Sequence, residues 1–237
     1  VTSAGTSPAP GVGPVAAADE ARPAPASPRA APTSTPDAAL PGRGVRVGIL
    51  ALQGDVREHD RLLAQLGAEV TTVRRPDELA AVDALVIPGG ESTVIDRLAH
   101  LAGLREPLRE AIAGGMPVLG TCAGLILLAE RLQDGVPGQQ TLGGLDVTVR
   151  RNAFGRQAES FETDLVVPAL QGPPVRAAFI RAPLIEELGP SAELLAALPD
   201  GRAVAARQGR VLGLAFHPES TGETRFHALF LQLAQER

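Results

Sequence analysis

Three short apolar runs, 45–52, 83–87 and 116–120, each break at a glycine-containing turn and hand over to a helix-forming stretch. This rhythm constrains the fold more than any other feature. Parallel strands need a crossover between them, and a strand covered on both faces is apolar throughout instead of alternating. Val45 to Leu52 reads as a buried strand. Asp55 to Leu66 reads as an amphipathic helix with Val56, Leu62, Leu63 and Leu66 on one side, ended by Gly67. Glu69 to Arg74 is a second strand, followed by Pro76. Asp83 to Ile87 is a third, stopped by Pro88-Gly89-Gly90. Ser92 is expected as the N-cap of a helix reaching Leu101, and Leu104 to Ala113 forms the next helix, ended by Gly114-Gly115. Met116 to Gly120 then enters a turn that leads into the helix opening at Leu125-Ile126-Leu127-Leu128-Ala129.

Beyond that helix, strands dominate: Leu145 to Arg151, Ser160 to Val167, Val175 to Ile180, Glu193 to Leu198, Arg202 to Arg207 and Val211 to Phe216. Asp200-Gly201 and Gln208-Gly209 are hairpin signals. A last helix is expected from Glu223 to Glu236. The fold class is α/β: a three-layer, open, mostly parallel sheet flanked by helices, with an added antiparallel portion, all in one domain over 44–237. Residues 1–43 are Ala, Pro, Ser, Thr and Gly with almost no large aliphatic side chains. Such a segment buries too little surface to offset its ordering entropy, so it reads as a disordered tail. It has no basic region leading into an apolar one, as a secretory signal would, and Asp19, Glu20 and Asp37 argue against a transit peptide.

Composition excludes several function classes. The formal net charge is −5 and aromatic residues make up 3%, with no Trp or Tyr. Neither a basic footprint nor a stacking platform for nucleic acid is present. No apolar run approaches the length of a membrane span. Four histidines without the cysteine or carboxylate spacing of a zinc site argue against a structural metal. A single cysteine rules out an internal disulfide and fits a reducing cytoplasm.

That cysteine, Cys122, lies at the centre of Gly120-Thr-Cys-Ala-Gly124 between a strand and a helix. The pattern is a nucleophile elbow with sulfur in place of oxygen; small neighbours permit the sharp turn, and the helix N-terminus favours a thiolate. A thiol nucleophile needs a base, and the base needs an orienting group. Phe216-His217-Pro218-Glu219 follows an apolar strand, at the kind of strand end where sites assemble in open α/β sheets. In an extended segment His217 and Glu219 face the same way, with Pro218 stiffening the link. His59, His100 and His227 fall in helical patterns and are expected to be solvated. The Ala123 N–H is an evident oxyanion donor. The loop Pro88 to Thr93 offers either a second donor or a simple strand-to-helix turn. It lacks the lysine of a phosphate-binding loop. Arg151 and Arg181 read either as carboxylate binders or as surface charge.

Together, Cys122 in GTCAG, the PGG loop and the His-Pro-Glu string resemble the triad class of glutamine amidotransferases (class I fold). The longer strings GILALQGDVREH, PGGEST, GTCAGLILLAE, RNAFGRQAESFE, FIRAP and AFHPE resemble the glutaminase subunit of the pyridoxal 5′-phosphate synthase complex, over Val45 to the C-terminus. One departure is Ser220, where that family more often carries an aliphatic residue. The resemblance implies hydrolysis of L-glutamine to L-glutamate and ammonia in the cytoplasm, for vitamin B6 biosynthesis. Cys122, His217 and Glu219 would form the triad, and a γ-glutamyl thioester the intermediate. Gly90, Glu91, Ser92, Arg151, Ile180 and Arg181 would hold glutamine, with Gly90 and Ala123 at the oxyanion. It implies no cofactor or metal for this chain. It implies a hetero-oligomer in which ammonia is channelled to a synthase subunit that also completes the oxyanion hole, with Gln53 and the stretch Asp55 to His59 at the interface. The competing readings are a glutaminase serving another ammonia-using synthase, a cysteine hydrolase on a related elbow fold, or a non-catalytic subunit.

Overall fold

The computed structural model describes residues 40–151, 153 and 160–236, and all of these fall in one unit. Strands and helices alternate through the first half: β1 (Arg46–Leu50), α1 (Val56–Gln65), β2 (Glu69–Val73), α2 (Pro76–Ala80), β3 (Ala84–Ile87), α3 (Ser92–Leu101), α4 (Arg105–Ala113), β4 (Val118–Thr121) and α5 (Ala123–Leu128). Strands then dominate: β5 (Ala129–Gln133), β6 (Leu145–Arg150), β7 (Phe161–Leu165), β8 (Val175–Phe179), β9 (Leu184–Leu188), β10 (Glu193–Ala197), β11 (Ala203–Gln208) and β12 (Val211–Leu214). Two helices close the chain, α6 (Pro218–Thr221) and α7 (Arg225–Gln235).

The main sheet runs β2-β1-β3-β4-β12-β11-β9-β6-β5, with β10 paired to β11 off this path. From β2 to β12 every pair is parallel, in the register Val86↔Leu119 and Leu119↔Leu212 at the centre. Every residue of β3, β4 and β12 is buried, as strands covered on both faces must be. The β11–β12 hairpin reverses the sheet direction through the Gly209-Arg210 turn, and β9–β11, β6–β9 and β10–β11 are antiparallel. This is the mostly parallel sheet with an antiparallel extension that the sequence predicts. β7 and β8 stand apart as a two-stranded antiparallel sheet. Among the described residues no helix is long and apolar enough to cross a membrane.

Some elements differ from expectation. The helix after Cys122 ends at Leu128, and Ala129 to Gln133 forms edge strand β5 because pairing with β6 overrides its helical propensity. Strand β9 and the short helix α2, which Pro76 opens, add to the elements that the sequence pattern predicts. Glu91, not Ser92, is the N-cap of α3: its carbonyl accepts the first helical bonds, from Val94 and Ile95, both at 3.0 Å. Of the expected tail, 1–39 lie outside the described residues, while Leu40 to Gly44 form a turn. The Gly42 N–H donates to the Leu66 carbonyl at 2.9 Å, and Gln235 donates to the Pro41 carbonyl at 3.0 Å.

An aromatic chain joins the small sheet to the end of the large one. Phe161 stacks on Phe179 with centroids 4.7 Å apart. Phe179 meets Phe216 at 5.5 Å, and Phe216 meets Phe226 of α7 at 5.4 Å. The His217 N–H then donates to the Ala178 carbonyl of β8 at 3.0 Å. The residue after Phe216 is thus held by packing on one side and by a backbone bond on the other. Phe216→Ala should cost about 3–5 kcal/mol of unfolding free energy, the range for a buried Phe truncation, read as a lower urea midpoint. A loss below about 1 kcal/mol would show that the chain of rings does not anchor this strand end.

Candidate active site

Four parallel strands end at one edge of the sheet, and the segment after each contributes to one cavity of about 280 Å³. Gln53 and Asp55 follow β1, Gly90 to Ser92 follow β3, Cys122 follows β4 and His217 follows β12. Ile126, Arg151, Ile180 and Arg181 complete the lining. Nine residues of the sequence-based set are in or behind this cavity: Gly90, Glu91, Ser92, Cys122, Arg151, Ile180, Arg181 and His217 line it, and Glu219 touches His217 from behind. Ala123 is buried at the head of α5, where N-terminal helical N–H groups have no intrahelical partner.

Cys122 is the N-cap of α5, with φ 48° and ψ −98°. A non-glycine residue held there carries about 1–3 kcal/mol of strain. The surroundings enforce it. The Cys122 N–H donates to the Leu214 carbonyl of β12 at 2.8 Å, and its own carbonyl accepts from Ile126 at 3.3 Å. The flanking glycines serve close approach: a Cβ at Gly124 would collide with the Ile87 carbonyl, and one at Gly120 with Leu128. Cys122 is 7% exposed, and its Sγ lies 3.9 Å from the Ile180 carbonyl, which accepts a weak hydrogen bond from the thiol.

His217 caps the short helix α6, with Pro218 at its first position, so Glu219 sits on the first turn and not on an extended segment. The pairing expected from extended geometry is nonetheless made: His217 Nδ1 is 2.7 Å from Glu219 Oε1. Asp55 Oδ2 approaches the same nitrogen at 3.4 Å. Burial acts to lower the His217 pKa, but the hydrogen bonds with Asp55, Cys122 and Glu219 outweigh it, and the ring is pushed up to about 12. Burial also holds the Glu219 carboxyl above its usual range, against the opposing pull of His217. Asp55, His217 and Glu219 offer ligand atoms within 4.8 Å of one another, the one grouping of metal-ligand type among the described residues. With Nδ1 already bonded to Glu219, hydrogen bonding accounts for it. Gly89 is required here, since a Cβ would collide with the His217 ring.

The other wall is a polar network. Arg151 donates to Glu91 Oε1 at 2.8 Å and to Gln139 at 3.2 Å, and Gln139 donates to Ser92 Oγ at 3.0 Å. Gln53 Oε1 accepts from the Glu91 N–H at 2.7 Å. Arg181 adopts φ 46°, a second strained non-glycine position at the rim.

A family model described as the SNO glutamine amidotransferase family matches residues 49–236. The chain belongs to this family. It is 64% identical over 186 residues to a pyridoxal 5′-phosphate synthase subunit PdxT of Leifsonia xyli, covering 78% of this chain and 94% of that one. It is 59% identical over 198 residues to the PdxT of Acidothermus cellulolyticus, covering 82% and 96%. A crystal structure of a glutamine amidotransferase aligns with TM-score 0.75 and 47% identity, over 80% of this chain and 99% of that one. PurLQS of Thermotoga maritima, at 18% identity and TM-score 0.56 over 80% and 97%, shares the fold. Of the string RNAFGRQAESFE, Asn152 and 154–159 lie outside the described residues.

Two histidines of this amidotransferase overturn an expectation. His59 and His227 are fully buried, not solvated. Their spacing carried the signal: His59 lies three and four residues before Leu62 and Leu63, and His227 before Phe230 and Leu231, which places each on its helix's apolar face. His59 also belongs to the stretch expected at a partner interface, where Arg57 and Glu58 are exposed and His59 is not. Burial drives His59 well below its ordinary pKa, helped by the two neighbouring rings, and brings His227 down to about 4, with Glu223 pulling the other way. Both rings are therefore neutral in the folded state while the unfolded chain protonates near pH 6.5. The unfolded state binds more protons below that value, so stability falls as pH drops from 6.5 towards 4, by about 1.4 kcal/mol per unit for each such ring. Urea unfolding at a series of pH values should show a shallower loss for His227→Leu than for the native chain; parallel curves would contradict it.

Proposed function

We propose that the chain hydrolyses L-glutamine to L-glutamate and ammonia through Cys122, His217 and Glu219, and delivers the ammonia to a partner synthase subunit that makes pyridoxal 5′-phosphate. The observation that carries this reading is the shared cavity: a strained cysteine at a strand-to-helix elbow and a histidine already paired to a buried carboxylate open onto the same 280 Å³ space. Family membership and the PdxT relatives support the overall activity and the place in vitamin B6 biosynthesis.

The steps follow from the geometry. Glu219 holds His217 through Nδ1, leaving Nε2 for the sulfur and the leaving group. The raised basicity of His217 makes it the holder of the proton it shares with Cys122. Sulfur attacks the side-chain amide carbon, and the oxyanion is received by the N–H groups of Ala123 and Gly90. His217 gives its proton to the departing nitrogen, releasing ammonia and leaving a γ-glutamyl thioester. Water, deprotonated by His217, resolves the thioester to glutamate and frees the thiol. Glu91, Arg151 and Arg181 present opposite charges to the zwitterionic end of glutamine, with Ser92 and Ile180 beside them. No step draws on a metal or cofactor. A reduced thiol is required throughout, which a cytoplasmic location provides.

Ammonia is mostly protonated in neutral water and lost as a nucleophile, so a sealed path to the partner has chemical value. Gln53 connects that partner to the site. Its side chain occupies the Glu91 N–H in the free chain, beside Gly90, and it borders the exposed start of α1. A partner seated there and drawing Gln53 away would free the loop after β3 to complete the oxyanion hole.

Glutamate release and pyridoxal phosphate absorbance, followed together, test this. The chain alone should turn glutamine over slowly, and a synthase subunit should raise the rate at least about tenfold, equivalent to about 1.4 kcal/mol of barrier. Cys122→Ala should abolish both signals with glutamine, and ammonium salt should restore the second. Full activity without a partner would count against the coupling, and activity in Cys122→Ala against the chemistry.

A further inference from the structure

Glu219 is fully buried, and its carboxylate has one close partner, His217 Nδ1. Among the described residues its Oε2 has none. One side-chain hydrogen bond and the residue's own backbone N–H are sparse support for a buried carboxylate, which accepts several in water. A second ring stands behind it. His59 Nε2 lies 3.6 Å from the same Oε1 and 3.2 Å from Thr121 Oγ1, and its Nδ1 lies 2.9 Å from His227 Nε2. Three helices converge here: α1 brings His59, α6 brings Glu219 and α7 brings His227. Thr121 is the last residue of β4, next to Cys122.

Two neutral imidazoles 2.9 Å apart need one proton between them, and its owner decides what His59 shows to Glu219. If it belongs to His59 Nδ1, His59 turns a lone pair on the carboxylate. His227 Nδ1 then carries a buried hydrogen that reaches no acceptor in hydrogen-bonding geometry, although the Glu223 backbone is near. If it belongs to His227 Nε2, His59 Nε2 carries a hydrogen directed at Glu219 and Thr121. The unpartnered atom is then a lone pair, which is less costly to leave unpaired than an orphaned N–H.

We infer that His59 is a positioning residue: its Nε2–H, held in that tautomer by His227, steadies the Glu219 carboxylate against His217 and ties it to the Thr121 end of β4. This role rests on the triad reading given above. Burial keeps both rings neutral, so the N–H dipole facing Glu219 at 3.6 Å is supplied without a second positive charge beside His217. His59 does not line the cavity, so its loss acts on turnover and not on glutamine binding.

NMR of the ring nitrogens in the full chain, labelled at histidine, reads the tautomers directly. The result expected at neutral pH is a protonated Nε2 and a bare Nδ1 on both His59 and His227; a proton on Nδ1 of either ring overturns the inference. Kinetics of the complex with its synthase subunit give the second readout. His59→Leu should lower kcat about 10- to 100-fold, the cost of stripping a polar neighbour from a buried charge, with KM for glutamine unchanged. His59→Gln, whose amide N–H₂ reaches the Nε2 position, should recover most of that loss. Equal losses in the Leu and Gln variants, or a change confined to KM, overturn the assignment. Should His59→Leu fail to fold, the tautomers and the near-native rate of His59→Gln still decide it. Cys122→Ala is assayed alongside. Residual hydrolysis there sinks the triad itself, whereas an inert Cys122→Ala with Nδ1-protonated rings sinks only the role of His59.

Discussion

The parallel ladder β3–β4–β12 sets the position of Cys122, His217 and the glycine loop at the cavity. Its strands are in register and stop at the same edge, so the loop after β3, the cysteine after β4 and the histidine after β12 arrive together. Backbone hydrogen bonds hold this arrangement at points adjacent to the chemistry. The Cys122 N–H is tied to Leu214, and the His217 N–H to Ala178. Strain at Cys122 is tolerable because neighbouring strands over-determine its backbone.

Around that ladder the two portions of the sheet divide the work. The parallel half supplies Cys122, His217 and the loop after β3. The antiparallel half and the small β7–β8 sheet supply Arg151, Ile180 and Arg181 from the far side of the cavity. The phenylalanine chain couples β8 to β12 and α7, so the rim that carries Ile180 and the strand that carries His217 share one packed body. Below the cavity the interior is polar, with Glu219, His59 and His227 in contact at zero exposure. That is an expensive composition for a core, and it is concentrated directly behind His217.

Much of this was legible from local pattern. The βα rhythm of 45–120, the elbow around Cys122 and the proximity of His217 to Glu219 follow from short-range spacing, and short-range spacing is what a sequence displays. β5 and β9 were hidden for the opposite reason. Ala129 to Gln133 has helical propensity, and only a partner strand brought in by the fold makes it extended; Leu184 to Leu188 likewise gains its state from β6 and β11. Side-chain preference points to Ser92 as the N-cap, but the carbonyl that receives the first helical bonds is that of Glu91. Residue type suggests that His59 and His227 are solvated, and only helical phase, in step with leucine or phenylalanine neighbours, marks them as buried. The contact of Asp55 with His217 joins residues 162 positions apart and left no local trace.

The absence of a side chain at Gly124 has a mechanical side. With its backbone resting directly on the Ile87 carbonyl, α5 has no compressible layer between itself and β3. The elbow and the strand that precedes the Gly89-Gly90 turn must therefore travel as one rigid piece. Any outside influence on the loop after β3 is confined to rotating peptide planes beyond Ile87, because sliding the strand would carry Cys122 away from His217.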